Sequence, residues 1–293
     1  MRNTYAGRLR GKTVLLGILA VCVGFATVAL AITYASRAER PPGPTTAQLP
    51  IGQQSEPQSA EPITQPTTAE PTAPPTLPPI TVGNLEGKKL VALTFDDGPH
   101  STYTVRLLDF LREQDVPVTF FMLGCNAVGV PDIPRRAAAE GHQVGSHTYN
   151  HKDLTKLSAV RLSEEIESCA ALLEELTGQR PTVMRPPYGA QNAQVRAAAG
   201  TPVILWQIDP KDWSTRNADK TYQHVMEYVQ DGDIVLMHDC YAETIEAAKR
   251  IIPALKAQGY TFVTVDQLLA ARGGAEPGET VFKRRPPASP EEP

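Results

Sequence analysis

Apolar positions follow three regimes along the 293-residue chain. From 14 to 32 no charge interrupts an apolar run, which is long enough to cross a bilayer core of about 30 Å as one helix. Arg2, Arg8, Arg10 and Lys12 precede it and no acidic residue occurs before Glu39, so the N-terminal flank is expected to stay in the cytoplasm and the rest to be exported. A cleaved signal peptide is the rival reading, because Ala29-Leu30-Ala31 resembles a small-x-small cleavage site. Secretory apolar regions usually run about 7–15 residues, and this one is longer. Residues 41–80 are dominated by Pro, Thr, Gln, Ser and Ala and contain no aromatic residue. Such a stretch cannot bury enough apolar surface to fold, and predicts an extended polyproline-rich spacer reaching up to roughly 120 Å.

In the third regime, apolar runs of strand length alternate with helical patterns. The runs 90–95, 118–123, 143–146, 182–185, 203–208, 234–237 and 262–265 are continuous rather than alternating, which predicts parallel strands buried on both faces. The clearest helix spans 158–177, with Leu162, Ile166, Cys169, Leu173 and Leu176 on one face. Ser158 suits its N-cap, and Gly178 with Pro181 beyond suits its stop. The fold expected is α/β, a distorted (β/α) barrel of about seven strand–helix units, although an open doubly wound sheet fits the same pattern. Either places its site at the C-terminal ends of the strands. The segment 273–293, rich in Pro, Gly and Glu with Lys283-Arg284-Arg285 as a basic knot, is expected to be a disordered tail.

Composition narrows the function only by exclusion. A net charge of −4 and pI near 5.9 give no reason to expect nucleic acid as a partner. The chemistry lies at the predicted strand ends, where Asp96-Asp97, His147, Arg185, Asp209 and His238 all fall. An acidic doublet followed by His147-x-x-x-His151 can offer two imidazoles and a carboxylate to one divalent metal, leaving a second carboxylate to take a proton from water. Each piece alone has a plainer reading: Asp96-Asp97-Gly98-Pro99 suits a turn, and His238 could be a satisfied core histidine.

Taken together, Thr-Phe-Asp-Asp-Gly-Pro (94–99), Ser-His-Thr-Tyr-Asn-His (146–151), Arg-Pro-Pro-Tyr (185–188), Asp-Pro-Lys-Asp-Trp (209–213) and Leu-Met-His (236–238) resemble the five motifs of the NodB-like polysaccharide deacetylases, carbohydrate esterase family 4. The resemblance covers about 88–270. It implies Asp97, His147 and His151 as ligands of one divalent ion, zinc first and cobalt as an alternative. It further implies Asp96 as general base steadied by Arg185, His238 as general acid oriented by Asp212, and the backbone N–H of Tyr188 as an oxyanion donor. Tyr188, Pro187, Trp213 and Leu236 would shape the substrate groove. Asp209 matches a motif without an assigned role, with helix capping or loop bracing weighing at least as much as catalysis.

The organisation expected is therefore a cytoplasmic N-terminus (1–12), a transmembrane signal anchor (13–35), a Pro/Thr-rich linker (36–85), a catalytic domain (86–272) and a tail (273–293). An anchor with a stalk places a monomeric head outside the cytoplasm of a single-pass membrane protein, or in the secreted fraction if the leader is cleaved. The activity expected is removal of N-acetyl groups from N-acetylglucosamine units of an envelope polysaccharide, with peptidoglycan favoured by placement. Chitin oligomers and acetylated xylan are alternatives on the same machinery, and a non-catalytic glycan-binding head is the rival from another class. Cys125, Cys169 and Cys240 would lie where disulfides are permitted, Cys169 being simplest as core; Cys22 falls in the apolar leader.

Overall fold

The computed structural model describes residues 82–286. The expected N-terminus, anchor and most of the linker lie outside the described residues. Among the described residues, no helix is long and apolar enough to cross a membrane. The last residues of the expected linker belong to the folded part, since Val82–Leu85 forms a 3-10 turn with Leu85 buried.

The first half of the domain runs β1 (Lys89–Asp96), α1 (Tyr103–Gln114), β2 (Thr119–Met122), α2 (Gly124–Gly129), α3 (Asp132–Ala139), β3 (Gln143–Ser146) and α4 (Ala159–Thr177). It continues through α5 (Ala193–Ala198), β4 (Val203–Ile204), α6 (Asp212–Thr215), α7 (Ala218–Tyr228), β5 (Asp233–His238), α8 (Ala242–Ala257), β6 (Tyr260–Phe262), α9 (Val265–Ala271) and β7 (Thr280–Val281). This is an α/β fold on a parallel sheet. β5 lies along one edge of β1, from Val91↔Asp233 to Asp96↔His238. The other edge is shared, with β6 on Lys89–Val91 and β2 on Thr94–Asp96. β3 follows β2, Ser146 bridges Met184, Met184 bridges Val203, and β4 pairs with β7. Ile208 bridges Val235 of β5, so the chain of pairings returns to its start.

Strand periodicity decides what each face carries. On β1, Val91, Leu93 and Phe95 pack in the larger apolar cluster, which includes Leu107, Leu108 and Leu111 of α1 and Ile245, Ile251 and Ile252 of α8. Leu90 and Ala92 point to the other face, into a cluster with Phe121, Val183, Ile204, Ile234 and Val281. The same face then ends in Thr94 and Asp96. β5 repeats the arrangement, with Val235 and Met237 against the helices and Ile234, Leu236 and His238 on the inner face. Apolar filling below and polar groups at the strand ends follow from a two-residue period.

The helix expected over 158–177 is α4, whose Ser158 hydroxyl accepts from the Arg161 N–H and whose Gly178 caps the C-terminus at φ 75°. Two predicted strands are much shorter than expected, and a third, 262–265, keeps only Phe262 in β6 while Val265 begins α9 behind its N-cap Thr264. The run 182–185 contributes only Met184, which bridges Ser146 and Val203, because Pro181, Pro186 and Pro187 around it have no N–H to donate. The run 203–208 changes partner part-way: the Leu205 N–H donates to Val281 O, and the Gln207 N–H to Ile234 O.

The expected disordered tail is corrected up to Pro286. β7 lies within it and gives β4 a parallel partner, and Lys283 bridges Asp233 in antiparallel register. The basic knot is an internal clasp. The Arg284 N–H donates to Gly232 O at 2.8 Å, and Arg285 Nη2 lies 2.7 Å from Asp233 Oδ1. A Cβ on Gly232, which sits at φ 82°, would come within 1.8 Å of Arg284 O, so only glycine admits the segment there. Composition misleads here because two paired residues and one clasp suffice to order a stretch that is otherwise polar.

Candidate active site

β1 ends in Asp96 and β5 ends in His238, and these two are register partners, side by side on the inner face. Around them the loops after β1, β3 and Met184 contribute the rest. A cavity of about 380 Å³ is lined by Asp96, Asp97, His147, His151, Tyr188 and His238, with Pro186, Trp206, Asp209, Lys211, Trp213, Leu236 and Tyr241 completing its walls.

Arg185 is fully buried behind this cavity rather than lining it. Its Nη1 donates to Asp96 Oδ1 at 2.6 Å and to the Thr94 hydroxyl at 2.8 Å. Nε donates to Ile204 O and Nη2 to Leu205 O, while the guanidinium lies 4.2 Å from the Phe121 ring centroid. Every arm of the fork is occupied, so Asp96 meets a charge that cannot swing away. Asp96 Oδ1 is thereby fixed, and Oδ2 is left to the cavity, 3.8 Å from His147 Nε2.

His147 Nδ1 lies 2.7 Å from Arg185 O. A carbonyl oxygen only accepts, so Nδ1 carries the proton and the neutral ring presents the Nε2 lone pair to the site. That Nε2 and His151 Nε2 each lie 3.3 Å from Asp97 Oδ1, which is buried with no hydrogen-bond partner. A carboxylate oxygen facing the lone pair of a neutral imidazole is repulsive unless a cation lies between them. Ligands about 2.0–2.1 Å from a tetrahedral zinc-type ion sit about 3.3–3.4 Å apart, so the three groups fit such an ion in type and spacing. Candidate ligand atoms of these three residues all lie within 4.8 Å of one another.

The loops that carry these groups are bent into backbone conformations that side chains seldom adopt. Asp97 (φ 68°), Thr148 (φ 70°), His151 (φ 57°), Tyr188 (φ 62°) and Lys211 (φ 56°) are all left-handed. Such strain persists only where neighbours impose it. Here the turn after β2 is the splint: the Leu123 N–H donates to Gly98 O, the Gly124 N–H to Thr148 O and the Cys125 N–H to Tyr149 O. Asn126 Nδ2 adds a bond to Asp97 O at 2.8 Å. Among the described residues the Tyr188 N–H has no backbone acceptor outside its own 3-10 turn.

Asp212, at the start of α6, is buried and accepts three bonds: from His238 N–H (2.8 Å), His238 Nδ1 (2.9 Å) and the Thr244 hydroxyl (2.7 Å). Burial opposes the His238 imidazolium. The bond and charge of Asp212, helped by Asp96 and Asp97, outweigh it and raise the pKa to about 9. His238 is thus held as a proton donor, its Nδ1 bound to Asp212.

The structure brings together Asp96, Asp97, His147, His151, Tyr188, Trp213, Leu236 and His238, and sets Arg185 and Asp212 immediately behind them. One expected groove residue is displaced: Pro187 is buried and does not line the cavity, whereas Pro186 does. Asp209 is a loop brace, with Oδ1 accepting from the Lys211 N–H and Oδ2 2.7 Å from Lys211 Nζ. The wall residues Trp206 and Tyr241 escaped the sequence reading. Trp206 sits inside an apolar run and reads as core, and Tyr241 follows the last motif by three residues with no spacing signal of its own. Arg216 stacks 3.5 Å above the Tyr241 ring, fixing that wall. Cys125, Cys169 and Cys240 are free thiols.

Residues 84–201 match the family model described as polysaccharide deacetylase. A peptidoglycan-N-acetylglucosamine deacetylase of Bacillus cereus is 38% identical over 190 residues, which span 62% of this chain and 89% of that protein. The chain belongs to the polysaccharide deacetylase family. A peptidoglycan-N-acetylglucosamine deacetylase of Listeria monocytogenes is 44% identical over 180 residues, spanning 61% of this chain but 39% of that protein. The chain therefore matches about two fifths of the length of that relative. Among solved structures, the peptidoglycan deacetylase of Bacillus subtilis superposes with a TM-score of 0.62 at 39% identity, covering 63% of this chain and 92% of that one.

Proposed function

We propose that this polysaccharide deacetylase family member is a metal-dependent hydrolase that removes N-acetyl groups from N-acetylglucosamine residues of a cell-envelope polysaccharide, with peptidoglycan strands as the substrate. The observation that carries this reading is the register pairing of Asp96 with His238 on one sheet face, beside the Asp97–His147–His151 cluster. A base and an acid delivered by adjacent strands can serve the two proton transfers of amide hydrolysis from one side of a single cavity.

Asp97, His147 and His151 would hold one divalent ion, zinc or cobalt, which when bound supplies Lewis acidity toward the acetyl carbonyl and lowers the pKa of a coordinated water. Asp96, aimed by Arg185 through Oδ1, takes the proton of the attacking water on Oδ2. The Tyr188 N–H donates to the oxyanion that develops on the acetyl carbonyl; loss of one such donor typically costs about 3–4 kcal/mol. His238, protonated and oriented by Asp212, gives its proton to the sugar nitrogen, which departs as a neutral amine. Trp206, Trp213, Tyr241 and Leu236 supply apolar walls for a sugar ring and the acetyl methyl.

The return of strand pairings from β4 through Ile208 to β5 supports reading the domain as a distorted (β/α) barrel. The uncharged run 14–32 with its basic flank supports a single-pass anchor, with a monomeric catalytic head outside the cytoplasm on the Pro/Thr-rich stalk. Acetate release by the purified, metal-loaded chain from peptidoglycan, chitin oligomers and acetylated xylan tests the function. Peptidoglycan is expected to be deacetylated fastest. A rank order led by xylan would overturn the substrate, and no acetate from any of the three would overturn the activity.

A further inference from the structure

Asp239 follows His238 directly, is fully buried, and has no part in the chemistry above. Burial pushes its carboxyl up to about 7. A carboxyl in such a place needs partners, and it has few. Oδ2 accepts from the Thr104 hydroxyl, and Oδ1 has no hydrogen-bond partner. Its nearest surroundings explain the arrangement. A Cβ built on Gly98 would lie 2.5 Å from both Asp239 oxygens, so the carboxyl packs flat on the backbone one residue past Asp97. Thr104, at the start of α1, continues the contact: its hydroxyl accepts from the His100 N–H at 2.7 Å, and its own N–H donates to His100 O at 3.2 Å.

The turn from Asp97 to His100 is thus held from two sides. Leu123 and Asn126 grip it from the β2 side, where the histidine loop also hangs. Asp239 and Thr104 grip it from the β5 side, where the acid hangs. The second grip adds to the β1–β5 pairing and to the Thr94 hydroxyl bond to Val235 O in relating Asp97 to His238. We infer that Asp239 is a positioning residue: through Thr104 and its packing on Gly98, it sets the Asp96–Asp97 turn against His238. This rests on the hydrolase reading for its catalytic consequence, but not for its effect on the ligand turn.

The test uses the full metal-loaded chain with Thr104→Val, which keeps volume and removes the hydroxyl, Thr104→Ser, which restores it, and Asp239→Ala. Thr104→Val and Asp239→Ala are expected to lower kcat about tenfold with little change in KM, as for a displaced catalytic group. They should also weaken Zn2+ affinity, measured by chelator competition, several-fold. Thr104→Ser should recover both. The double variant should lose no more than the worse single one, since both residues form one link. Wild-type kcat and Zn2+ affinity in a folded Thr104→Val chain would overturn the inference, as would a loss confined to melting temperature. Should the wild-type chain release no acetate, the hydrolase reading fails by itself, and the Zn2+ affinities still decide whether Asp239 places the turn.

Discussion

Replacing Asp212 by Asn removes the charge behind His238 and keeps the shape. The carboxylate accepts three donors, and an amide offers one oxygen, so its NH2 must face at least one of them. The pKa of His238 then falls from about 9 toward its ordinary 6.5. A drop of about two units is ~2.7 kcal/mol less preference for the imidazolium. The sign is fixed by the raised folded-state value. Stability from the His238 charge is fully present below 6.5 and is lost as pH rises toward 9. Turnover that needs the imidazolium fails over the same rise. With a divalent ion on Asp97, His147 and His151, the pull of Asp96 and Asp97 is offset, so the alkaline limb of the native enzyme lies below 9. In Asp212→Asn that limb should move acidward by about two pH units, and kcat/KM for the amide at pH 7.5 should fall about a hundredfold, within the usual range for a general acid. The assay is acetate release from N-acetylglucosamine oligomers across pH, run beside an aryl acetate ester. A phenolate leaves without being protonated, so the ester rate should hardly change. An unmoved alkaline limb, or equal losses on amide and ester, would refute the role of Asp212 and the role of His238 with it.

Asp96→Asn should abolish turnover while the chain still holds about one divalent ion by metal analysis, and retained turnover would remove Asp96 as the base. His151→Ala should weaken metal affinity by at least about tenfold in chelator competition, since one of three ligands is lost; an unchanged affinity would mean a wrong ligand set. Ending the chain after Arg272 deletes β7 and the fully buried Val281, a loss of about 2–3 kcal/mol in apolar burial alone. Its melting temperature should fall by at least about 5 °C in calorimetry, and an unchanged melt would show β7 to be an ornament.

Where sequence and structure agree, a local pattern was enough. β1 and β5 are buried along nearly their whole length, so continuous apolar runs reveal them, and α4 is bounded by a capping serine and a left-handed glycine. The site was legible because its chemistry stands at strand ends in loops of distinctive composition. What escaped depends on distant partners. β7 is two residues long and exists because β4 needs an edge covered. Trp206 is a cavity wall because the segment 203–208 turns from one partner strand to another. Asp239 carries no spacing signal in the sequence, and only its packing against Gly98 exposes its placement.

The clasp formed by residues 280–285 also sets the order in which the domain can be completed. Among the described residues every other strand precedes this segment in the chain, so β4 waits with an open edge as the chain emerges from the ribosome. Exposed strand edges recruit other chains. The residues that cover β4 are therefore also those expected to end its exposure to other chains during synthesis. Gly232, without a side chain to obstruct Arg284, keeps that docking open to β7 and the clasp behind it.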